Sequence, residues 1–225
     1  MRVTSDRGKN DNRSAKHRIL VAAKHLFATQ GFDGTNRLEI ARAAGVAPAF
    51  LARQFGSKNQ LLAEVLDTGW SPIRRRIRAL WRVQEPEKRL ARALELLLDS
   101  WHQDREIADL MLIEARRMHT GVPIAGSNYG FANCVAVFDE YVAQCRASGS
   151  WPPHISNAAI RSALLALVEG LFLHERLYNH MGFPVPATAD EARNLIFAFI
   201  NGLCVQNDKS RPSPPAECLV GGLSS

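Results

Sequence analysis

From Ile19 to Leu203 the apolar residues return every third or fourth position and nowhere alternate over a useful length, so the chain is committed to helices. Glycine and proline punctuate the repeat at Gly31, Gly45, Gly121-Val122-Pro123, Gly149 to Pro153 and Gly182 to Pro186. A first helix opens at Ser14, buries Ile19, Ala22, Ala23, Leu26 and Phe27, and stops at Gly31. Asn36-Arg37-Leu38-Glu39 is a capping-box variant that starts a second, short helix carrying Leu38, Ile40, Ala41 and Ala44. Gly45 supplies the left-handed residue of a tight turn, and Pro48 fits the first turn of a third helix that buries Val46, Leu51 and Phe55. Two short helices across a glycine turn, packed on a longer one, make a helix-turn-helix.

A fourth helix opens at Ser57 and runs through Leu61, Leu62, Val65 and Leu66. Gly69 and Ser71-Pro72 predict a break, with Ser71 as a new N-cap and Pro72 at the first helical position. Beyond it Ile73, Ile77, Leu80 and Trp81 form an apolar stripe, with Arg74, Arg75, Arg78 and Arg82 as its solvated face. Further helices are expected over roughly 86–103, 105–119, 127–148, 157–181 and 189–206, about nine in all, in an all-α fold.

Charge divides the chain. Residues 1–58 hold 11 Lys and Arg against 4 Asp and Glu, while the whole chain has a net charge of only +6, so the remainder is close to neutral. A basic module on a neutral body fits a phosphate-binding head joined to a sensor. The expected organisation is a flexible basic arm over 1–13, the helix-turn-helix over 14–58, a helical effector-binding and dimerisation domain over 59–206, and a mobile tail over 207–225. Cys134, Cys145, Cys204 and Cys218 form no paired-ligand spacing, which argues against a zinc site or a disulfide framework and for reduced thiols. No apolar run approaches the ~18–20 residues of a membrane span and no leader opens the chain, so a soluble, cytoplasmic protein without membrane contact is expected.

Over Ile19 to Leu66 the sequence resembles the DNA-binding domain of the TetR family of transcriptional regulators. The words that carry the likeness are Ala22-Ala23, Leu26-Phe27 and Gly31-Phe32, then Thr35, Ile40-Ala41 and Ala44-Gly45-Val46. Leu51, Phe55-Gly56-Ser57-Lys58 and Leu61-Leu62 complete it. Beyond this stretch the likeness rests on an all-helical body of suitable length, with Glu169-Gly170-Leu171 resembling the family's penultimate helix. The resemblance implies a homodimeric, one-component regulator that binds a palindromic operator in double-stranded DNA. It favours repression by steric exclusion, relieved by a small apolar effector. Thr35, Asn36 and Arg37, at the start of the second helix, are candidates for phosphate contact. Pro48, Ala49, Phe50, Arg53 and Gln54 are candidates for the major groove, with Arg53 suited to guanine O6 and N7. Lys58 matches a phosphate-contacting position. The chain departs from the family at Ala52, Gln54 and Ala47, where tyrosine, histidine and a hydroxyl residue are common, and Leu38 stands in for an apolar contact usually made at the position of Arg37.

In the body, Trp101, Met111, Phe131, Cys134, Phe138 and Phe172 are candidates for lining an effector cavity. Glu114 with Arg116 and Arg117, or His174 with Glu175, are candidates for holding a polar end. The last two helices are apolar on two sides, one for their own core and one for a two-fold partner, with Ala166 and Gly170 letting backbones approach. The fourth helix, hinged at Gly69–Pro72, is the expected lever between cavity and head. No Glu-x-x-His pair, nucleophile elbow, P-loop or dinucleotide fingerprint occurs, so an enzyme is not expected, nor any cofactor or metal. The competing reading is a helical dimer that binds a ligand but has lost its operator.

Overall fold

The computed structural model describes residues 4–118, 128–149, 151–184 and 188–204, and only the backbone of 4–10, 115–118, 128 and 129. Within them the helices are α1 (Thr4–Gly34), α2 (Arg37–Ala43), α3 (Pro48–Gln54), α4 (Lys58–Ala79), α5 (Pro86–Gln103), α6 (Arg105–Met118), α7 (Asn128–Ala147), α8 (Asn157–Met181) and α9 (Ala189–Leu203). A 3-10 turn, Leu80–Arg82, follows α4. The described residues contain no strand, as the periodicity predicts.

The caps explain most boundaries. Asn36 accepts from the Glu39 amide at 2.9 Å while Glu39 accepts from the Asn36 amide at 3.4 Å, which completes the predicted capping box of α2. Ser57 and Gln60 repeat the arrangement at α4, and Thr188 and Glu191 at α9. Gly31 (φ 76°) ends the regular part of α1, and Gly182 (φ 71°) closes α8 in the left-handed conformation that only glycine adopts freely.

Two expectations about the elements fail. The first helix begins at Thr4 rather than Ser14: extending a nucleated helix by nearly three polar turns is far easier than starting one, so the charged stretch of 4–13 continues α1 although it has few apolar residues. More telling, α4 runs unbroken through Gly69, Ser71 and Pro72, and Ser71 caps nothing. Pro72 removes one helical donor, yet tertiary packing of Leu66, Trp70, Ile73 and Ile77 on the core holds the turn. Gly69 has a different purpose there. A Cβ at that position would stand 2.3 Å from Met111 Cε and 2.4 Å from Ile107 Cγ1, so the glycine lets α6 close on α4.

One continuous apolar core extends from Ile19 and Phe27 in α1 through Leu66 and Ile77 in α4 to Phe172 in α8 and Ile200 in α9. Tyr141 is fully buried at its centre and donates to the Ile77 carbonyl at 2.7 Å, tying α7 to the end of α4. By length and composition alone α8 is able to cross a membrane, which counting uninterrupted apolar runs did not anticipate. In this fold its Ile160, Leu164, Val168 and Phe172 are buried in the core, and Arg161 and Arg176 along it pair with Asp139 and Asp109. The predicted turn at Gly121–Pro123 and the tail over 207–225 lie outside the described residues.

Candidate nucleic-acid interface and effector cavity

The head is built on a small apolar nucleus. Ile19, Ala23 and Phe27 of α1 meet Ile40 and Ala41 of α2, Leu51 of α3 and Phe55 behind it, all essentially without solvent exposure. Gly45 (φ 62°) turns α2 into α3, and the Val46 amide donates back to the Ala41 carbonyl at 3.0 Å. Leu51 and Phe55 pin the inner side of α3, which leaves Pro48, Ala49, Ala52 and Arg53 on an exposed edge and Phe50 and Gln54 half-buried beside it. The Arg53 guanidinium carbon lies 5.3 Å from the centroid of the Phe50 ring, so the ring supports the arginine from below. A shallow groove runs between this edge and the start of α1, with Asp11, Asn12 and Arg18 on its far side.

The side chains of the other candidates are engaged within the head. Thr35 is 1% exposed and its hydroxyl donates to the carbonyls of Gly31 at 2.7 Å and Leu26 at 3.1 Å, closing the end of α1. Asn36 is occupied as the cap of α2. Arg37 donates to the carbonyls of Phe55 and of Gly56, the latter at 3.1 Å, and so holds the turn between α3 and α4. Lys58 donates to the carbonyls of Phe32 at 2.8 Å and Thr35 at 3.0 Å, with its ammonium 4.4 Å from the centre of the Phe32 ring. Carbonyls at a helix end and in the turn just past it lack helical partners, and these long cationic side chains satisfy them. Leu38, expected to make an apolar contact, is 63% exposed. Arg18, which the sequence did not single out, does the same clamping work by donating to the Ala44 carbonyl at 3.0 Å.

In the body, Trp101, Met111, Phe131, Cys134 and Phe138 come together around one cavity of about 100 Å³, which Trp70, Leu97, Leu112, Val135, Leu165 and Glu169 complete. Phe172 lies behind the wall, its ring 5.5 Å from that of Trp101. Burial pushes the Cys134 thiol up to about 12, against a weaker pull from the Arg74 charge, so it presents a neutral S–H to the cavity. Trp70 escaped notice because it stands inside the supposed break of α4, and only the continuity of that helix gives it a wall position. Glu175 does not orient a polar end here: it binds His102, 2.5 Å away, and Arg105, 3.4 Å away, while His174 is exposed. Glu114 is buried, and the side chains of Arg116 and Arg117 lie outside the described residues.

The corner between α5 and α6 joins head and body by ion pairs and a histidine–carboxylate contact. Lys24 of α1 reaches Asp104 at 2.8 Å and Glu106 at 3.7 Å, and His25 Nδ1 lies 2.7 Å from Glu106. On the outer side of α8 and α9, Leu177, Met181, Leu195 and Phe199 are 41–57% exposed, beside an open groove of about 1020 Å³ flanked by Ala166, Gly170 and Leu171. A Cβ at Gly170 or Gly202 would meet nothing within 4 Å, so the chain's own packing does not require glycine at either position.

The family profile described as "Bacterial regulatory proteins, tetR family" matches residues 19–65. A curated relative, the HTH-type transcriptional regulator HbdR of Aromatoleum sp. (strain CIB), is 37% identical over 83 residues, which is 35% of this chain and 35% of that one. The match thus spans about a third of the relative's length. Among solved structures, the transcriptional regulator FadR of Bacillus subtilis, in complex with stearoyl-CoA, superposes with a TM-score of 0.68 at 14% identity, covering 84% of this chain and 97% of that one. The TetR-family regulator PfmR of Thermus thermophilus gives 0.61 at 18% identity, covering 83% and 97%. Residues 19–65 are thus similar to the tetR family of bacterial regulatory proteins, and the helical body behind them shares the fold of the solved regulator PfmR.

Proposed function

We propose that the protein is a one-component transcriptional regulator that binds a palindromic operator as a homodimer and releases it when a small, largely apolar effector fills the cavity between α4, α5, α6, α7 and α8. The observation that carries this reading is the edge of α3: Leu51 and Phe55 are spent on the core, and the solvent side offers Pro48, Ala49 and an Arg53 propped on Phe50. Such an edge enters a major groove, where a guanidinium bonds guanine O6 and N7 together. Thr35, Asn36, Arg37 and Lys58 act one step back, by fixing the junctions that aim α3, and the α2 backbone rather than these side chains faces the phosphates.

The two-fold axis runs along the exposed apolar side of α8 and α9, where unused glycines and half-exposed Leu195 and Phe199 await a second copy. Two heads held about 34 Å apart then meet successive major grooves. The lever is α4, now a single rod without a hinge. Its Trp70 is a wall of the cavity, and its first residue, Lys58, holds the end of α1. An effector that displaces Trp70 tilts the DNA end of that rod, and bound protein blocks the promoter until it does so.

Selecting duplexes from a random pool, with and without a metabolite library, tests the reading directly. A palindrome whose recovery falls with one metabolite supports it. Binding of a metabolite without enrichment of any duplex favours the competing reading, a ligand-binding dimer without an operator, which the plain Ala47 at the cap of α3 and Ala52 on it make physically reasonable. Crosslinking the two heads so that their separation is fixed should abolish the response while leaving metabolite binding intact, and an undiminished response rejects the lever.

A further inference from the structure

We infer that the outer side of α4 and the turn after it, from Arg74 to Arg82, is a docking surface for an acidic helical segment of a partner protein, with Trp81 as its apolar anchor. Charge is the first observation. The body beyond residue 58 is close to neutral overall, yet Arg74, Arg75, Arg76, Arg78 and Arg82 fall within nine residues that hold no carboxylate and no lysine. Arg75, Arg78 and Arg82 recur at the i, i+3, i+7 spacing of one helical stripe and are exposed, with Arg74 half-buried beside them, while Ile73 and Ile77 hold the other side in the core. Among the described residues no carboxylate pairs with any of the five. Arg75 reaches the Ser71 hydroxyl at 3.5 Å and Arg76 the Ser100 hydroxyl at 3.2 Å, while Glu85 is taken by Lys88 and Asp139 by Arg161. Glu140 of α7, whose charge acts on Tyr141 together with that of Arg78, forms no ion pair with the stripe. Like charges at i, i+4, as in Arg74 with Arg78, disfavour a helix, and carboxylates brought from outside relieve that repulsion.

Composition decides the class of partner. Trp81 is 42% exposed while Trp70, Trp101 and Trp151 are buried, and it is held in place by the Tyr141 ring, 5.3 Å away and edge-on, and by the Arg89 guanidinium, 4.9 Å from its centroid. A fixed aromatic among arginines, without lysine, is the composition of binding hot spots between proteins, and a side chain already in place loses little freedom on binding. The spacing suits a helix laid alongside: carboxylates at its own i, i+3 and i+7 positions repeat that of the arginines, and each accepts the two-pronged guanidinium fork. An operator seated on α3 does not reach this stripe, because Arg78 stands about 30 Å along the helix axis from Lys58 at the DNA end of α4. A membrane surface matches it poorly, since interfacial helices present an apolar face and that of α4 is in the core. The surface is also separate from the exposed side of α8 and α9, so it stays open in the dimer proposed above.

The test uses the full chain and four probes: a labelled peptide repeating Glu-Leu-Ala-Glu, the same peptide with lysine for glutamate, duplex DNA of random sequence, and phosphatidylserine vesicles. The acidic peptide is expected to bind and to shield the Trp81 fluorescence from acrylamide. Its affinity should fall about tenfold in the double variant Arg78→Glu, Arg82→Glu, and by a similar factor in Trp81→Ala, with folding checked by thermal unfolding. Replacing Arg75, Arg78 and Arg82 together by lysine keeps the charge without the fork, and is expected to weaken the peptide about threefold. If Trp81→Ala does not fold, the arginine variants decide alone. Failure of the acidic peptide to bind, equal binding of the lysine peptide, or an affinity untouched by the charge reversal overturns the proposal. So does a loss of duplex or vesicle binding in the charge-reversed variant as large as that of the peptide, which would assign the stripe to nucleic acid or lipid instead.

Discussion

Arg53 and Lys58 stand either side of Phe55 and have opposite surroundings: one guanidinium is in solvent above an aromatic ring, the other cation is spent on two backbone carbonyls. Arg53→Ala is therefore expected to reduce discrimination at one operator position by about 1–3 kcal/mol with unfolding unchanged. Lys58→Ala should instead lower the unfolding free energy by about 1–2 kcal/mol, read from urea titration, and weaken all duplexes together. Equal operator profiles for the two variants would reject this division. The residue types of the head were legible in the sequence, and so was the capping box, because a cap is a local arrangement. Where Thr35, Arg37 and Lys58 would point was not, since nothing local reveals that helix ends elsewhere in the fold leave carbonyls in their reach. The thiols give a pH prediction. Burial raises Cys134 and Cys145 from the ordinary thiol value to about 12, so the folded state keeps protons that the unfolded chain loses. Their contribution to stability is complete below about pH 9 and declines from there toward pH 12, and both should resist thiol reagents at pH 8 at the rate of unfolding.

At the level of elements, glycine, proline and cap residues marked most helix ends within a residue or two, because each acts on its own backbone. The exception is the stretch from Gly69 to Pro72, where the same residue types mean close packing of α6 rather than a break. Spacing cannot separate a glycine that turns the chain from one that admits a neighbour; only the neighbour does. Gly69→Ala is expected to cost about 1–3 kcal/mol, since Met111 and Ile107 must move, whereas a true hinge would tolerate alanine. Gly130 is a second such position: its Cβ would stand 2.8 Å from Trp70, so Gly130→Ala should press that ring toward the cavity and weaken uptake of a small apolar effector in a binding titration.

For the whole molecule, the body's outward apolar side was legible as an excess of apolar residues on α8 and α9, and its cavity only as a set of large side chains whose meeting needed the fold. Gly170→Ala and Gly202→Ala separate the roles of that side. Added methyls meet open space within the chain, and alanine favours a helix over glycine by about 1 kcal/mol, so the folded subunit should not lose stability. Self-association, measured by sedimentation, should weaken, and unchanged association would place the two-fold contact elsewhere. The corner at residues 102–106 bears on experiments with DNA. There Lys24 of the head pairs with Asp104 and Glu106, and Glu175 of α8 with Arg105, through exposed or half-exposed ions of the same short segment. Added electrolyte makes the release of counterions from the operator less favourable, and it also loosens this corner. A plot of log affinity against log salt should consequently fall more steeply than the number of phosphates touched accounts for, and neutralising Asp104 and Glu106 should bring the slope back toward that number.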